Sequence, residues 1–170
     1  MQASSKLMPR WHNQRLIYLA IVVSEFNSEI TFKMLQSARD HAANVSADIR
    51  YILYVPGTFD MPLAVEKLLK KKNVEAVVTL GAVIKGDTRH DDIVAENAAR
   101  LIADLSLKYG KPVTLGIAGP GMTIEQARGR AKLVPVRAVN AAINMVLRLR
   151  KLQKAVGAGI VIIDDTADNN

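Results

Sequence analysis

The residues Gly86-Asp87-Thr88-Arg89-His90 hold most of what this sequence offers for chemistry. A glycine followed by a hydroxyl residue just ahead of a helix can present backbone N–H groups and an O–H to an anion such as phosphate, and the helix dipole adds to the attraction. Gly86 and Thr88 suit that task, whereas the Asp87 carboxylate must point away from an anion or bind a cation. His90 supplies an imidazole, the usual general acid or base near neutral pH. A helix N-terminus beside it disfavours the imidazolium, and Asp91 and Asp92 favour it, so the sequence leaves the direction of its titration open. The glycine spacing is neither a Walker loop nor a dinucleotide fingerprint.

Other reactive or recognition-capable groups fall at similar places, just after apolar runs. Phe26-Asn27 follows Leu16–Val23, Pro56-Gly57-Thr58-Phe59-Asp60 follows Ile49–Val55, and Gly119-Pro120-Gly121-Met122 follows Val113–Ala118. Phe26 is either core or a face on which a planar ring stacks. Asn27, Thr58 and Asp60 either cap helices or bind hydroxyls and ring nitrogens. Arg128 and Arg130, beyond the fourth run, are surface cations or a bidentate clamp on phosphate. His12 lies in the polar head, and His41 on the first helix reads as a surface or satisfied polar residue. Nothing resembles a metal site, and no cofactor is implied.

The elements that must position these groups follow from periodicity. Four apolar runs (Leu16–Val23, Ile49–Val55, Ala76–Gly81, Val113–Ala118) read as strands buried on both faces. Between them, apolar residues recur every three to four positions. Ile30, Met34, Leu35, Ala38, Ala42 and Val45 form one stripe, and Ile93, Val94, Ala98, Leu101, Ile102 and Leu105 another. Thr88 with Asp91, and Thr123 with Gln126, have capping-box spacing, and Pro62 fits the first turn of a helix ending at Lys72. Pro135 predicts a short helix to Arg130, a break, and a last helix from about Val136 to Lys154. There Arg137, Asn140, Asn144, Arg148 and Lys151 oppose an apolar face of Val139, Ala142, Ile143, Val146 and Leu149. Strands alternating with helices predict an α/β fold, a three-layer αβα sandwich with a four-stranded parallel sheet and helices on both faces. In such sheets ligands bind beyond the carboxyl ends of the strands, which brings all four turns to one edge.

Composition bounds the rest. A chain of 170 residues accommodates one domain, here expected over residues 15–154, with a flexible head before it and a flexible tail, residues 155–170, after it. The absence of cysteine excludes disulfides and thiolate chemistry. The net charge of +7 leaves nucleic acid, an anionic small molecule or a solvated surface open. Its distribution favours the last, because Lys70-Lys71-Lys72 and Arg148, Arg150, Lys151 and Lys154 close helices, where cations complement the dipole. With no signal-peptide pattern and no span of ~20 apolar residues, the chain is expected to be soluble and cytoplasmic, with neither membrane nor nucleic acid as partner.

Several of these stretches together resemble the 6,7-dimethyl-8-ribityllumazine synthase family, particularly its archaeal branch. They are Phe26-Asn27, the turn Pro56–Pro62, the stretch Gly81–His90 (GAVIKGDTRH), and Lys111–Gly116 followed by Glu125-Gln126-Ala127. The resemblance covers roughly Arg15 to Leu152 in order, and implies a flavodoxin-like sheet. It also implies the condensation of a ribitylamino-pyrimidinedione with 3,4-dihydroxy-2-butanone 4-phosphate, without redox cofactor or required metal. Carried over, Phe26 would stack on the heterocycle with Asn27 beside it. Thr58, Phe59 and Asp60, with Gly81 and Val83, would hold the ring and ribityl chain, Asp60 standing where many relatives have glutamate. Gly86, Asp87 and Thr88 would surround the phosphate, and His90 would move protons. A neighbouring subunit would contribute Leu115, where bacterial relatives often carry phenylalanine, and Arg130 on the phosphate. Bacterial relatives usually also have a lysine in a glycine-rich loop; here Lys132 is the candidate, in a different register. The resemblance implies a homo-oligomer with shared sites, a pentamer or an icosahedral shell of pentamers. Two rivals stand beside this reading. One is an archaeal riboflavin synthase paralogue, against which the intact GAVIKGDTRH stretch argues. The other is a non-catalytic shell or nucleic-acid-binding protein, against which the 5% aromatic content argues.

Overall fold

The computed structural model describes residues 15–45, 47–86, 90–157 and 159–164. Four strands, β1 (Ile17–Ser24), β2 (Ala47–Val55), β3 (Ala76–Ile84) and β4 (Val113–Met122), form one parallel sheet in the order β2-β1-β3-β4. The central strands are those with the longest unbroken apolar runs, and β1 and β3 are buried almost throughout. A strand covered by helices on both faces needs apolar side chains on both.

Helices α1 (Ser28–Ala43), α4 (Ile124–Arg130) and α5 (Leu133–Lys154) cover one face of the sheet. Ile30, Met34, Ala38, Ala127, Val139 and Ile143 pack there on Ile21, Val23, Val78 and Leu80. Helices α2 (Met61–Leu69) and α3 (His90–Tyr109) cover the other, where Met61, Val65, Leu68, Ala98 and Ile102 meet Ala20, Val22 and Val77. The alternation of inward-facing residues along β1 divides the core into these two layers. Together they make the three-layer α/β sandwich that the alternating pattern predicts.

Several boundaries differ from the sequence reading. The pairing of β3 with β4 runs past Gly81 and Ala118 to Ile84 and Met122, so Gly119-Pro120-Gly121 is a bulge opposite Val83 rather than a turn after the strand. Helix α5 starts at Leu133 and keeps Pro135 in its first turn, where a missing N–H breaks no intrahelical bond. On α3 the buried positions are Asp91, Ala95, Ala98 and Ile102, while Ile93, read as part of the buried stripe, is exposed. His41 is satisfied, its Nε2 lying 2.6 Å from Asn140 Oδ1 on α5. The polar head, residues 1–14, lies outside the described residues. Beyond α5 the described tail forms no regular element, and it leaves Ile160 and Ile162 exposed. No helix among the described residues is long and apolar enough to cross a membrane.

Candidate functional site

A cleft of about 420 Å³ opens at the carboxyl end of β3, lined by Phe26, Gly57, Thr58, Phe59, Ala82–Ile84, Gly86, His90, Asp91 and Val94. Three segments converge on it: the end of β1, the turn after β2, and the β3–α3 connection. This is the edge that the parallel topology singles out.

The first wall is Phe26. As β1 leaves the sheet, Glu25 N donates to Val55 O at 2.8 Å and Phe26 N to Pro56 O at 3.0 Å, so the chain end is held against β2. Asn27 then adopts a left-handed conformation (φ 58°, ψ 42°) and α1 begins. This turn points the Phe26 ring outward, with 71% of the residue exposed, which rules out the core position that a residue so close to a buried strand suggests. Asn27 does not cap α1 with its side chain. Its Nδ2 instead donates to Ala82 O at 2.8 Å, and Asn27 is not among the lining residues.

The second wall is the single 3-10 turn Thr58–Asp60, which leads directly into α2 with Pro62 in its first turn. Asp60 faces back, its carboxylate accepting from Gly57 N at 2.9 Å, rather than capping α2 as its position suggests. Thr58 is buried against the sheet while Phe59 is 59% exposed, so the turn presents an aromatic ring on a fixed base. Gly81 makes that base possible. A Cβ there would lie 2.8 Å from Thr58 Oγ1 and 3.1 Å from Met61 Cε, so the turn can close on β3 only over a residue without a side chain.

The third wall is the start of α3. His90, its first residue, is exposed on the cleft, and Asp91 beside it is buried. Successive helical residues point about 100° apart, which separates the two side chains. Asp91 accepts a hydrogen bond from Gly121 N at 3.2 Å, and so ties the bulge of β4 to the helix that carries His90. The sequence reading missed this bond because it assigned Asp91 to a capping box. The other member of that box, Thr88, and its neighbour Asp87, both expected at the phosphate, lie outside the described residues. Ala82, Ile84 and Val94 also line the cleft unanticipated. They are apolar residues at a strand end and a first helical turn, with no polar signal to set them apart from core.

Leu115, Arg130 and Lys132 do not reach this cleft. Leu115 pairs with Thr79 in the sheet, three residues before Ala82, about 10 Å along the strand at ~3.3 Å per residue. It is 51% exposed on the edge strand β4. Arg130 ends α4 and Lys132 immediately precedes α5, both exposed and both in the helical layer opposite α3. Arg128, near the same end of α4, is paired. Its Nε and Nη2 donate to the two oxygens of Glu29 at 2.8 and 3.0 Å, which holds the Glu29 carboxyl below its ordinary range. Arg128 is thereby engaged with α1.

Among the described residues no cluster of His, Asp and Glu could hold a metal ion. The cleft offers two aromatic faces, a backbone edge at Ala82–Ile84 and one imidazole, a set suited to a flat heterocycle and to proton transfer.

Comparison with known proteins agrees with this set. Residues 17–150 match the family model of 6,7-dimethyl-8-ribityllumazine synthase. Relatives bearing that name include one from Saccharolobus islandicus (strain L.S.2.15 / Lassen #1), 55% identical over 83% of this chain and 92% of its own. Another, from Methanococcus maripaludis (strain C5 / ATCC BAA-1333), is 54% identical over 81% of this chain and 100% of its own. A third, from Methanocaldococcus jannaschii, is 55% identical over 82% of this chain and 98% of its own. With this extent of identity over nearly the whole of each relative, the chain belongs to the 6,7-dimethyl-8-ribityllumazine synthase family.

Proposed function

We propose that this chain condenses 5-amino-6-(D-ribitylamino)uracil with 3,4-dihydroxy-2-butanone 4-phosphate, yielding 6,7-dimethyl-8-ribityllumazine, phosphate and water in riboflavin biosynthesis. The observation that carries this reading is the convergence of Phe26, Phe59, the β3 edge and His90 on one cleft in a member of this family. Phe26 stacks on the pyrimidinedione, and the turn Thr58–Asp60, seated on Gly81, holds the ring and ribityl chain together with Val83. Gly86, Asp87 and Thr88 surround the phosphate.

The chemistry asks for positioning and proton movement rather than a protein nucleophile. Amine attack on the ketone gives an imine with loss of water; elimination of phosphate and tautomerisation then leave a second carbonyl, and attack on it by the ribitylamino nitrogen, with loss of a second water, closes the ring. His90 relays the protons of these steps from its place at the cleft mouth. Leaving-group charge requires a cation, and no Lys or Arg lines the described cleft. Arg130 from a neighbouring copy supplies it, with Lys132 beside it, and Leu115 of that copy covers the ring. The active form is therefore a homo-oligomer with its sites between subunits, a pentamer or a shell of pentamers, working in the cytoplasm.

Purified protein given both substrates should form lumazine, followed by its absorbance, with stoichiometric release of phosphate. Riboflavin formed from lumazine alone, with no phosphate released from the pair, would overturn the assignment in favour of the paralogous riboflavin synthase.

A further inference from the structure

The geometry points to Asn27 as a positioning residue that fixes the Phe26 platform through β3, and not as a ligand of the substrate. This inference rests on the reading that Phe26 stacks on the heterocycle. An aromatic ring 71% exposed at a chain reversal has little packing of its own to hold it, so its direction is set by the backbone that carries it. Three features around Asn27 fix that backbone. The residue sits in the left-handed region, which, after Gly, Asn and Asp tolerate better than most residues. Its carbonyl accepts from Ile30 N at 2.8 Å and Thr31 N at 3.1 Å, locking it to the first turn of α1. Its amide donates to Ala82 O at 2.8 Å.

The last bond has a topological reason. The β1–β3 ladder ends at Val23 and Leu80, because β1 turns away while β3 continues to Ile84. The Asn27 side chain reaches the carbonyl two residues further along β3, and so continues by one bond the pairing that the β1 backbone has left. Ala82 itself lines the cleft. The amide thus links the residue that carries the stacking ring to the strand that forms the cleft floor, from a position outside the lining. The residue type follows from both demands. Glycine would keep the turn and lose the bond, aspartate would keep the turn and set a carboxylate against a carbonyl oxygen, and alanine would lose both.

The test is a double-mutant cycle on binding and turnover. Asn27→Gly should weaken binding of 5-amino-6-(D-ribitylamino)uracil, measured calorimetrically without the second substrate, by about 3- to 10-fold, the equivalent of one hydrogen bond. Its KM should rise in step, while the KM for the butanone phosphate and kcat stay within about 2-fold. Asn27→Asp should be worse than Asn27→Gly. In a Phe26→Ala background, Asn27→Gly should change nothing further, since the residue acts through the ring. Equal losses in both backgrounds, or no loss in either, would overturn the inference. Melting curves on each variant separate a misfolded chain from a misplaced ring, and Asn27→Gly, which the backbone accepts, keeps the test decisive if Asn27→Asp fails to fold. A wild-type chain that neither binds the pyrimidinedione nor makes lumazine would sink the proposed function as well. Additive losses in an active enzyme sink this inference alone.

Discussion

Gly81→Ala should damage the cleft from behind, and its effect can be worked from distances. The new Cβ would stand 2.8 Å from Thr58 Oγ1, 3.1 Å from Met61 Cε and 3.4 Å from Ile117 Cγ1. Ordinary contact begins near 3.4 Å, so the Met61 methyl must yield by a few tenths of an ångström, which a flexible thioether end can do. Thr58 cannot yield as easily. It is β-branched and buried, and its hydroxyl has to retreat by ~0.6 Å, carrying the Thr58–Asp60 turn with it. Overpacking of this kind costs roughly 1–3 kcal/mol. Replacing a strand glycine by alanine returns about 0.5–1 kcal/mol through the unfolded chain, leaving a net loss centred near ~1 kcal/mol and at most about 2.5 kcal/mol. For a chain of this size that is a fall in Tm of about 2–4 °C at the centre of the range and at most about 10 °C, read by scanning calorimetry at fixed protein concentration. The KM for the pyrimidinedione should rise with it, because Phe59 moves with the turn. Thr58→Ala removes the blocking hydroxyl, so the double variant should melt above Gly81→Ala alone. A Gly81→Ala protein with unchanged Tm and KM, or a double variant that loses the sum of the two single changes, would refute the steric reasoning.

His90→Ala should lower kcat by about 10²-fold with the melting temperature preserved, and an unaltered rate would remove the imidazole from the chemistry. Mixing a His90 variant with an Arg130 variant should restore activity to hybrid assemblies, since some sites then receive both native groups; no recovery after verified subunit exchange would count against shared sites. Glu66 gives a pH test. It accepts from Tyr109 Oη at 2.7 Å and pairs with Lys70 and Lys108, which holds its carboxyl down to about 2 from 4.5. A depressed carboxylate pKa stabilises the fold above the unfolded value and loses that contribution as pH falls from about 4.5 towards 2. Wild type should therefore melt above Glu66→Gln at neutral pH, with the gap closing through that window. A gap that stays constant down to about pH 2.5 would contradict the assignment.

Much of the scaffold is legible because strands buried on both faces leave long apolar runs, and those runs gave all four strands and the edge where the turns meet. What the sequence obscures is where pairing stops. Gly81 and Gly119–Gly121 look like punctuation, yet β3 needs Gly81 in mid-strand to admit Thr58, and β4 bulges at Gly119, where a Cβ would meet Val83 O at 2.0 Å. Pro135 reads as a break for a similar reason, since proline marks a helix interior and a helix start differently and the start lay about three residues earlier than periodicity placed it. At the site, residue types indicated Phe26, Thr58, Phe59, Gly86 and His90, all of which meet at the cleft. Side-chain direction was the hidden variable. Phe26 faces out because Asn27 turns left-handed, and Asp91 faces in to Gly121 because its partner lies thirty residues away, where no local spacing rule can reach.

The division of the core into two layers explains why the proposed site requires a second copy. Phe59 and His90 approach the edge from the α2–α3 layer, whereas Arg130 and Lys132 are carried by α4 and the start of α5 in the other. The sheet lies between these layers, and Leu115 is set back along its outer strand by about 10 Å. Neither cation lines the cleft of its own chain, so on the proposed reading a cation from this set acts in the cleft of an adjoining molecule. Catalysis on this reading depends on assembly through geometry and not merely through stability. Dilution or an interface substitution that yields folded monomers should then abolish turnover while leaving weak pyrimidinedione binding, because Phe26, Thr58 and Phe59 stay within one chain. Folded monomers with full activity, identified by light scattering under assay conditions, would refute the two-layer argument directly.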